Sequence, residues 1–285
     1  MTPDTDALPG AGPAVGAGTA AGAGTAAGAG TAAGAVTADG RAGELARFGA
    51  CNLSDAMDAL GIVGATHGIA PRWACGAIAG RARTVLLRRL GEGETPPAGP
   101  HLGTRAIESA GPGDVIVVAH QGRTDSGGWG GLLSAGASVR GVAGVVVDGA
   151  CRDVAEAEGL GLPLYARSTT PISARGRTAE VASGVPVDIA GVRVDPGDWV
   201  VADRDGLVVI ADGDVDRVLE RVREVGATEA GMLAALRSGA PASSVLGRRY
   251  ETMLTEQPGL TEQPGATEGT GLAGGTGLSE GSEEG

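Results

Sequence analysis

Lysine is absent: all 22 basic residues in this 285-residue chain are arginine. Without a side-chain primary amine the chain cannot build a Schiff-base aldolase, a pyridoxal-phosphate enzyme or a Walker-A phosphate loop. Cysteine is scarce. Cys51, Cys75 and Cys151 are an odd number and form no CxxC, which excludes a disulfide framework and predicts reduced thiols in a cytoplasm. His67, His101 and His120 show neither HxH nor HExxH spacing, so no zinc motif is present. Outside an Ala/Gly segment that lacks Leu, Ile and Phe, no run approaches the ~18 apolar residues of a membrane span. The N-terminus carries Asp4 and Asp6 and no basic residue, unlike a secretory signal. The expectation is a soluble protein that does not enter a membrane.

Negative charge is abundant but uneven. Residues 1–40 hold three acids and no base, and residues 251–285 hold seven acids and no base, so the tails carry ten of the twelve net negative charges. The middle is close to neutral, which gives no case for a nucleic-acid partner. Thr19, Thr25, Thr31 and Thr37 punctuate a six-residue Ala/Gly repeat. A hexapeptide solenoid would need a bulky aliphatic residue per turn, and the repeat supplies too little apolar area to offset ordering entropy. Both tails, 1–40 and 251–285, therefore read as disordered, with one folded domain over 41–250.

Inside that domain, residues 53–61 read as a short helix with Ser54 as N-cap and Gly61 as its stop. Residues 83–87 and 115–119 read as strands, the second following a Pro-Gly-Asp turn. Residues 128–140 have helical spacing of Leu132, Leu133, Ala135 and Val139. A buried strand over 142–147, a helix start at 152–159 and a strand over 164–166 follow, then short β runs over 185–209 and an amphipathic helix over 215–237. The centre is thus β-α-β-α-β, whose right-handed crossovers make parallel neighbours. The later strands lack helices, which predicts a mixed, layered α/β sheet, and no second hydrophobic core is evident.

Ligands of parallel sheets sit at the carboxyl ends of strands. Two segments there stand out, residues 120–133 after one strand and residues 148–153 after its neighbour. The first offers glycines and a helix start, whose free N–H groups bind carboxylates. The second offers Arg152, able to grip a carboxylate or 2-oxo group with two hydrogen bonds, beside Asp153, able to hold a hard divalent cation. A cation bound by a substrate's 2-oxo group could stabilise an enolate, a lysine-free way to break a bond beside a 2-oxo acid. By itself, a glycine turn is more often only a turn, and Asp153 could simply cap the next helix. His120 sits at a strand end near the site. Arg123, Arg175 and Arg177 could add positive charge there, although solvated arginine is the default. Cys151 has no paired base and reads as a buried thiol, and Trp129 as packing for the helix start.

Gly131, twenty residues, Arg152-Asp153, two residues and Glu156 match a G-x20-R-D-x2-E/D pattern. With residues 53–61, 112–115, 140–153 and 195–203, this resembles the 4-hydroxy-4-methyl-2-oxoglutarate aldolases and the RraA proteins (regulators of ribonuclease activity) that share their fold, over roughly residues 45–225. The resemblance implies a layered α/β/β domain with a mixed sheet, of RraA-like (swivelling phosphohistidine-domain-like) type, assembled as a homotrimer or a hexamer. It implies a carbon–carbon lyase that releases pyruvate and also decarboxylates oxaloacetate. Asp153 would help hold Mg2+ or Mn2+ largely through water, with Glu156 a further candidate. Arg152 would contact the substrate's pyruvyl end, and Gly130, Gly131, Leu132 and Leu133 would line it, with N–H donors mainly from Leu132 and Leu133. Aldolase members commonly carry an acid where this chain has Gly131. Glu156 and Asp125 are the candidates to replace it, and a further acid from a neighbouring subunit cannot be placed. The alternative is a non-catalytic regulator that binds a ribonuclease or other protein. A third label in this family, methyltransferase of menaquinone synthesis, finds no cofactor-binding turn here.

Overall fold

A computed structural model of the chain describes residues 40–254. The expected tails lie outside the described residues, except that Gly40 opens a helix and residues 251–254 end one.

The frame is four parallel strands. Strand β2 (Ile78–Arg89) pairs with β3 (Val115–Gly127), β3 with β4 (Gly144–Cys151), and β4 with β5 (Leu164–Thr169), all parallel. The connections carry α2 (Thr104–Ser109), α3 (Gly131–Val139) and α4 (Val154–Gly159); from β3 to β5 this is the expected β-α-β-α-β order, and α2 is a helix the sequence reading did not include. The two-residue β1 (Ala70–Pro71) edges β5, and β6 (Thr178–Ser183) pairs antiparallel with the end of β2. The start of β2 pairs antiparallel with β9 (Trp199–Ala202), which pairs with β10 (Leu207–Ile210). A hairpin, β7 (Val187–Ile189) and β8 (Val192–Val194), stands apart. The sheet is therefore mixed, as the helix-free second half of the sequence implies.

Alternate residues of the strands face opposite layers. Val85, Ile116, Val118, Val145, Val147 and Leu164 pack against the buried faces of α2, α3 and α4. Their neighbours Ala82, Val115, Val117, Val146 and Tyr165 face the hairpin and one side of β9–β10. The other side of β9–β10 packs on α1 (Gly40–Ala59) and α5 (Val215–Arg237). Three buried clusters thus exist where one core was expected, because the β9–β10 layer is apolar on both faces: all of its residues are buried. Among the described residues, no helix is long and apolar enough to cross a membrane.

Two expectations are corrected locally. Strands β3 and β4 continue through residues that read as loop. Gln121 and Gly122 take positive φ, and the β3–β4 register shifts twice, so β3 bulges and resumes pairing at Arg123 and Gly127. Gly and polar residues in such a bulge imitate a loop. Helix α1 also starts well before Ser54. It breaks at Gly49 (φ 76°), and the Ala50 N–H that reopens it donates to Asp203 Oδ2 at 2.7 Å, so the cap comes from 153 residues away. Gly61 does stop the helix, with φ 68°. Helices α6 (Ala242–Val245) and α7 (Arg248–Thr252) follow α5. Asp203→Ala should lower stability by about 1 kcal/mol, read as a lower urea midpoint at unchanged slope; an unchanged midpoint would rule out this cap.

Candidate functional site

The end of β4 and the start of α3 meet through backbone hydrogen bonds. The Gly128 N–H donates to Ala150 O at 2.8 Å and the Arg152 N–H to Trp129 O at 3.0 Å. The two segments singled out in the sequence are therefore one site. Glycine permits the approach: a Cβ on Gly127 or Gly130 would stand 3.1 Å from Arg152 Cγ, so the arginine stem lies directly on this backbone.

Asp153 holds the centre. It occupies the left-handed region, φ 58°, rare for a residue with a side chain. It sits at the N-cap of α4 without making a side-chain cap hydrogen bond. Its carboxylate turns away from that helix, and Oδ2 accepts the Gly131 N–H at 3.0 Å and Arg152 Nε at 3.0 Å. The helix-capping reading of Asp153 is thereby replaced. Arg152 uses only Nε in this pair; among the described residues its terminal nitrogens have no hydrogen-bond partner. Because the Gly131 N–H is committed to Asp153, the Leu132 and Leu133 N–H groups are the remaining donors of the first helical turn.

Of the two candidates named for the Gly131 position, Glu156 lies beside it. A Cβ at residue 131 would overlap the Glu156 carboxylate, so Glu156 stands where a side chain at 131 would begin. Among the described residues it has no ion-pair partner. Asp125 lies elsewhere, bound to Arg89 and Arg123, each at 3.0 Å.

These groups line a cavity of about 330 Å³. Gly130, Gly131, Leu132, Leu133, Arg152, Asp153 and Glu156 all border it. Its other wall was not foreseen as such: His101 and Leu102 before α2, and Ser173, Ala174 and Arg175 after β5. Of the three further arginines, Arg175 borders the cavity, whereas Arg123 and Arg177 line a separate hollow with Arg89. These wall residues lie in irregular segments far along the chain, and periodicity gives no signal for them. His120 does not border the cavity. It is buried under the β3 bulge, Nε2 bonded to Ser126 O at 2.9 Å and Nδ1 without a partner, and burial lowers its pKa. Trp129 is buried beside the cavity, its Nε1 donating to Ser134 Oγ at 3.0 Å, which fixes the start of α3.

The mixed α/β fold and the cavity at the strand ends are those of an RraA-like domain, and the RraA-like family model (Aldolase/RraA) matches residues 50–209. The chain belongs to this family. It is 35% identical over 173 residues to a Halalkalibacterium halodurans protein named provisionally as a 4-hydroxy-4-methyl-2-oxoglutarate aldolase, covering 60% of this chain and 77% of that one. Among solved structures it is similar to a protein of unassigned function from Pseudomonas syringae pv. tomato (TM-score 0.64, 31% identity, 73% of this chain and 96% of that one). It is also similar to Streptomyces coelicolor RraAS2, described as an unusual member of the RNase ES inhibitor RraA family (TM-score 0.60, 29% identity, 67% and 95%).

Cys151, next to Arg152, is fully buried, and burial pushes its thiol up to about 11. It is therefore protonated at pH 8 and shielded. Iodoacetamide at pH 8 should leave Cys151 unmodified in the native protein and alkylate it in denaturant, as mass spectrometry would show; native-state alkylation would contradict the packing around it.

Proposed function

We propose that this chain is a divalent-metal-dependent lyase that cleaves 4-hydroxy-4-methyl-2-oxoglutarate-type 2-oxo acids to pyruvate and also decarboxylates oxaloacetate. The observation that carries the reading is the Glu156 carboxylate lying over Gly131 beside Asp153. It supplies an acid at the place where the residue-131 side chain is missing.

Among the described residues, no three His, Cys, Asp or Glu side chains cluster as a metal site. Two hard carboxylates do converge, and Glu156 has no competing cation. That donor set suits Mg2+ or Mn2+ held by Asp153 and Glu156 with water filling the other positions, since Mg2+ keeps several waters. The bound cation would act as a Lewis acid toward the developing enolate charge.

The protein's own groups do the rest. The Leu132 and Leu133 N–H groups and the Arg152 fork grip the pyruvyl end, its carboxylate and 2-oxo oxygen. Asp153 holds Arg152 by Nε and so aims that fork. In the cleavage, the C4 hydroxyl gives up its proton, C3–C4 breaks, and its electron pair enters the enolate of the pyruvyl fragment. That fragment then takes a proton at C3, and two pyruvates leave. With oxaloacetate the bond broken is to the departing CO2, and the same enolate results. Trp129, Leu102 and Leu133 provide an apolar lining that strengthens the polar contacts.

The same reading includes a cytoplasmic location and a homotrimer or hexamer. Leu132 and Val139 on α3 are 85% and 88% exposed, apolar surface that packing between subunits would cover. The regulator alternative draws its support from the likeness to RraAS2.

The assay is pyruvate release from 4-hydroxy-4-methyl-2-oxoglutarate and from oxaloacetate with Mg2+. Chelator or Asp153→Ala should lower the rate about 100-fold or more. Gly131→Asp should crowd Glu156 and impair turnover, and adding Glu156→Ala should bring it back to within about tenfold of the parent. Absence of metal-dependent pyruvate from both substrates would overturn the lyase and leave the regulator.

A further inference from the structure

The charges around the cavity are separated. On one wall Arg152 is balanced by Asp153 at 3.0 Å, and Glu156 is an acid without a cation. Arg175, exposed and bordering the same cavity, is a cation without an acid: among the described residues it makes no ion pair and its guanidinium donates no hydrogen bond. The nearest candidate partner there, Glu180, is already engaged by Arg105 Nη1 at 3.1 Å and by the Gly103 N–H at 2.7 Å. His101, also on the cavity lining, has no negative charge to offer in either protonation state; desolvation, then the Arg175 charge, lower its pKa.

The backbone holds Arg175 in place. Its N–H donates to Ser173 Oγ at 3.1 Å, and Arg177 Nη1 donates to the carbonyls of Ser173 and Arg175, each at 3.4 Å. The Arg175 backbone therefore stands on a braced turn, and the residue borders the same cavity as Arg152, Leu132 and Leu133.

We infer that Arg175 is a specificity-determining residue, which takes the second carboxylate of a dicarboxylic 2-oxo acid while Arg152 and the Leu132 and Leu133 N–H groups hold the first. The inference rests on the proposed lyase reading for the orientation of the substrate. With a monocarboxylate bound, Arg175 has solvent as its only partner, whereas a carboxylate at the far end gives it a bidentate pair. In the cleavage described above, this second carboxylate belongs to the fragment that departs, so Arg175 touches the leaving half and Arg152 the half that becomes the enolate.

Binding and turnover test the inference separately. By isothermal titration with Mg2+ present, the protein should bind 2-oxoglutarate at least about tenfold more tightly than 2-oxopentanoate, which has the same length and lacks the terminal carboxylate. Arg175→Met should remove that preference without weakening 2-oxopentanoate, and Arg175→Lys should restore part of it. In turnover, Arg175→Met should lower kcat/KM for 4-hydroxy-4-methyl-2-oxoglutarate about 10- to 100-fold. The same change should leave 4-hydroxy-4-methyl-2-oxopentanoate, cleaved to pyruvate and acetone, unaffected. Equal losses on both members of each pair, or no change in either, would overturn the role of Arg175. A binding preference that vanishes in Arg175→Met, with no pyruvate from any substrate, would uphold Arg175 as the dicarboxylate reader and refute the lyase.

Discussion

One short chain of contacts organises this molecule: Asp153, in the left-handed region of backbone space, turns its carboxylate back to the Gly131 N–H and to Arg152 Nε. A non-glycine residue in that conformation costs about 1–2 kcal/mol. Two charge-assisted hydrogen bonds offset it. The consequence is geometric: the exit of β4 is tied to the entry of α3, and a guanidinium, two free helical N–H groups and two carboxylates are drawn to one cavity wall. Had the side chain capped α4, as the sequence permits, Arg152 would lose its brace and the site its centre.

The glycines serve this arrangement by what they omit. Gly127 and Gly130 leave room for the Arg152 stem, and Gly131 leaves room for the Glu156 carboxylate. Glu156, in the first turn of α4, places its carboxylate where a side chain at residue 131 would begin.

Much of the fold was legible because its signals are strong. The apolar runs of β3, β4 and β5 and the helices between them fix a parallel order by handedness alone, and α5 follows its periodicity from end to end. What stayed hidden depends on long-range partners. The cap of the second half of α1 is Asp203, which no local pattern reveals. The extension of β3 through Gly127 depends on a bulge against β4, and Gly, Asp and Ser there imitate a loop. The near wall of the site was legible as a spacing of Gly131, Arg152, Asp153 and Glu156. Arg175 was named only as one of three arginines near the site, and His101 was not placed there at all, since irregular segments 74 residues apart in sequence have no periodicity to join them.

The central claim is that this cavity stabilises a pyruvate enolate with the help of a divalent cation. Proton NMR of pyruvate in D2O isolates that step from any bond cleavage. The account predicts loss of the methyl signal at C3 with protein and Mg2+, suppressed by chelator and by Asp153→Ala. A methyl signal that persists at the uncatalysed rate, with the protein folded and Mg2+ saturating, would contradict it.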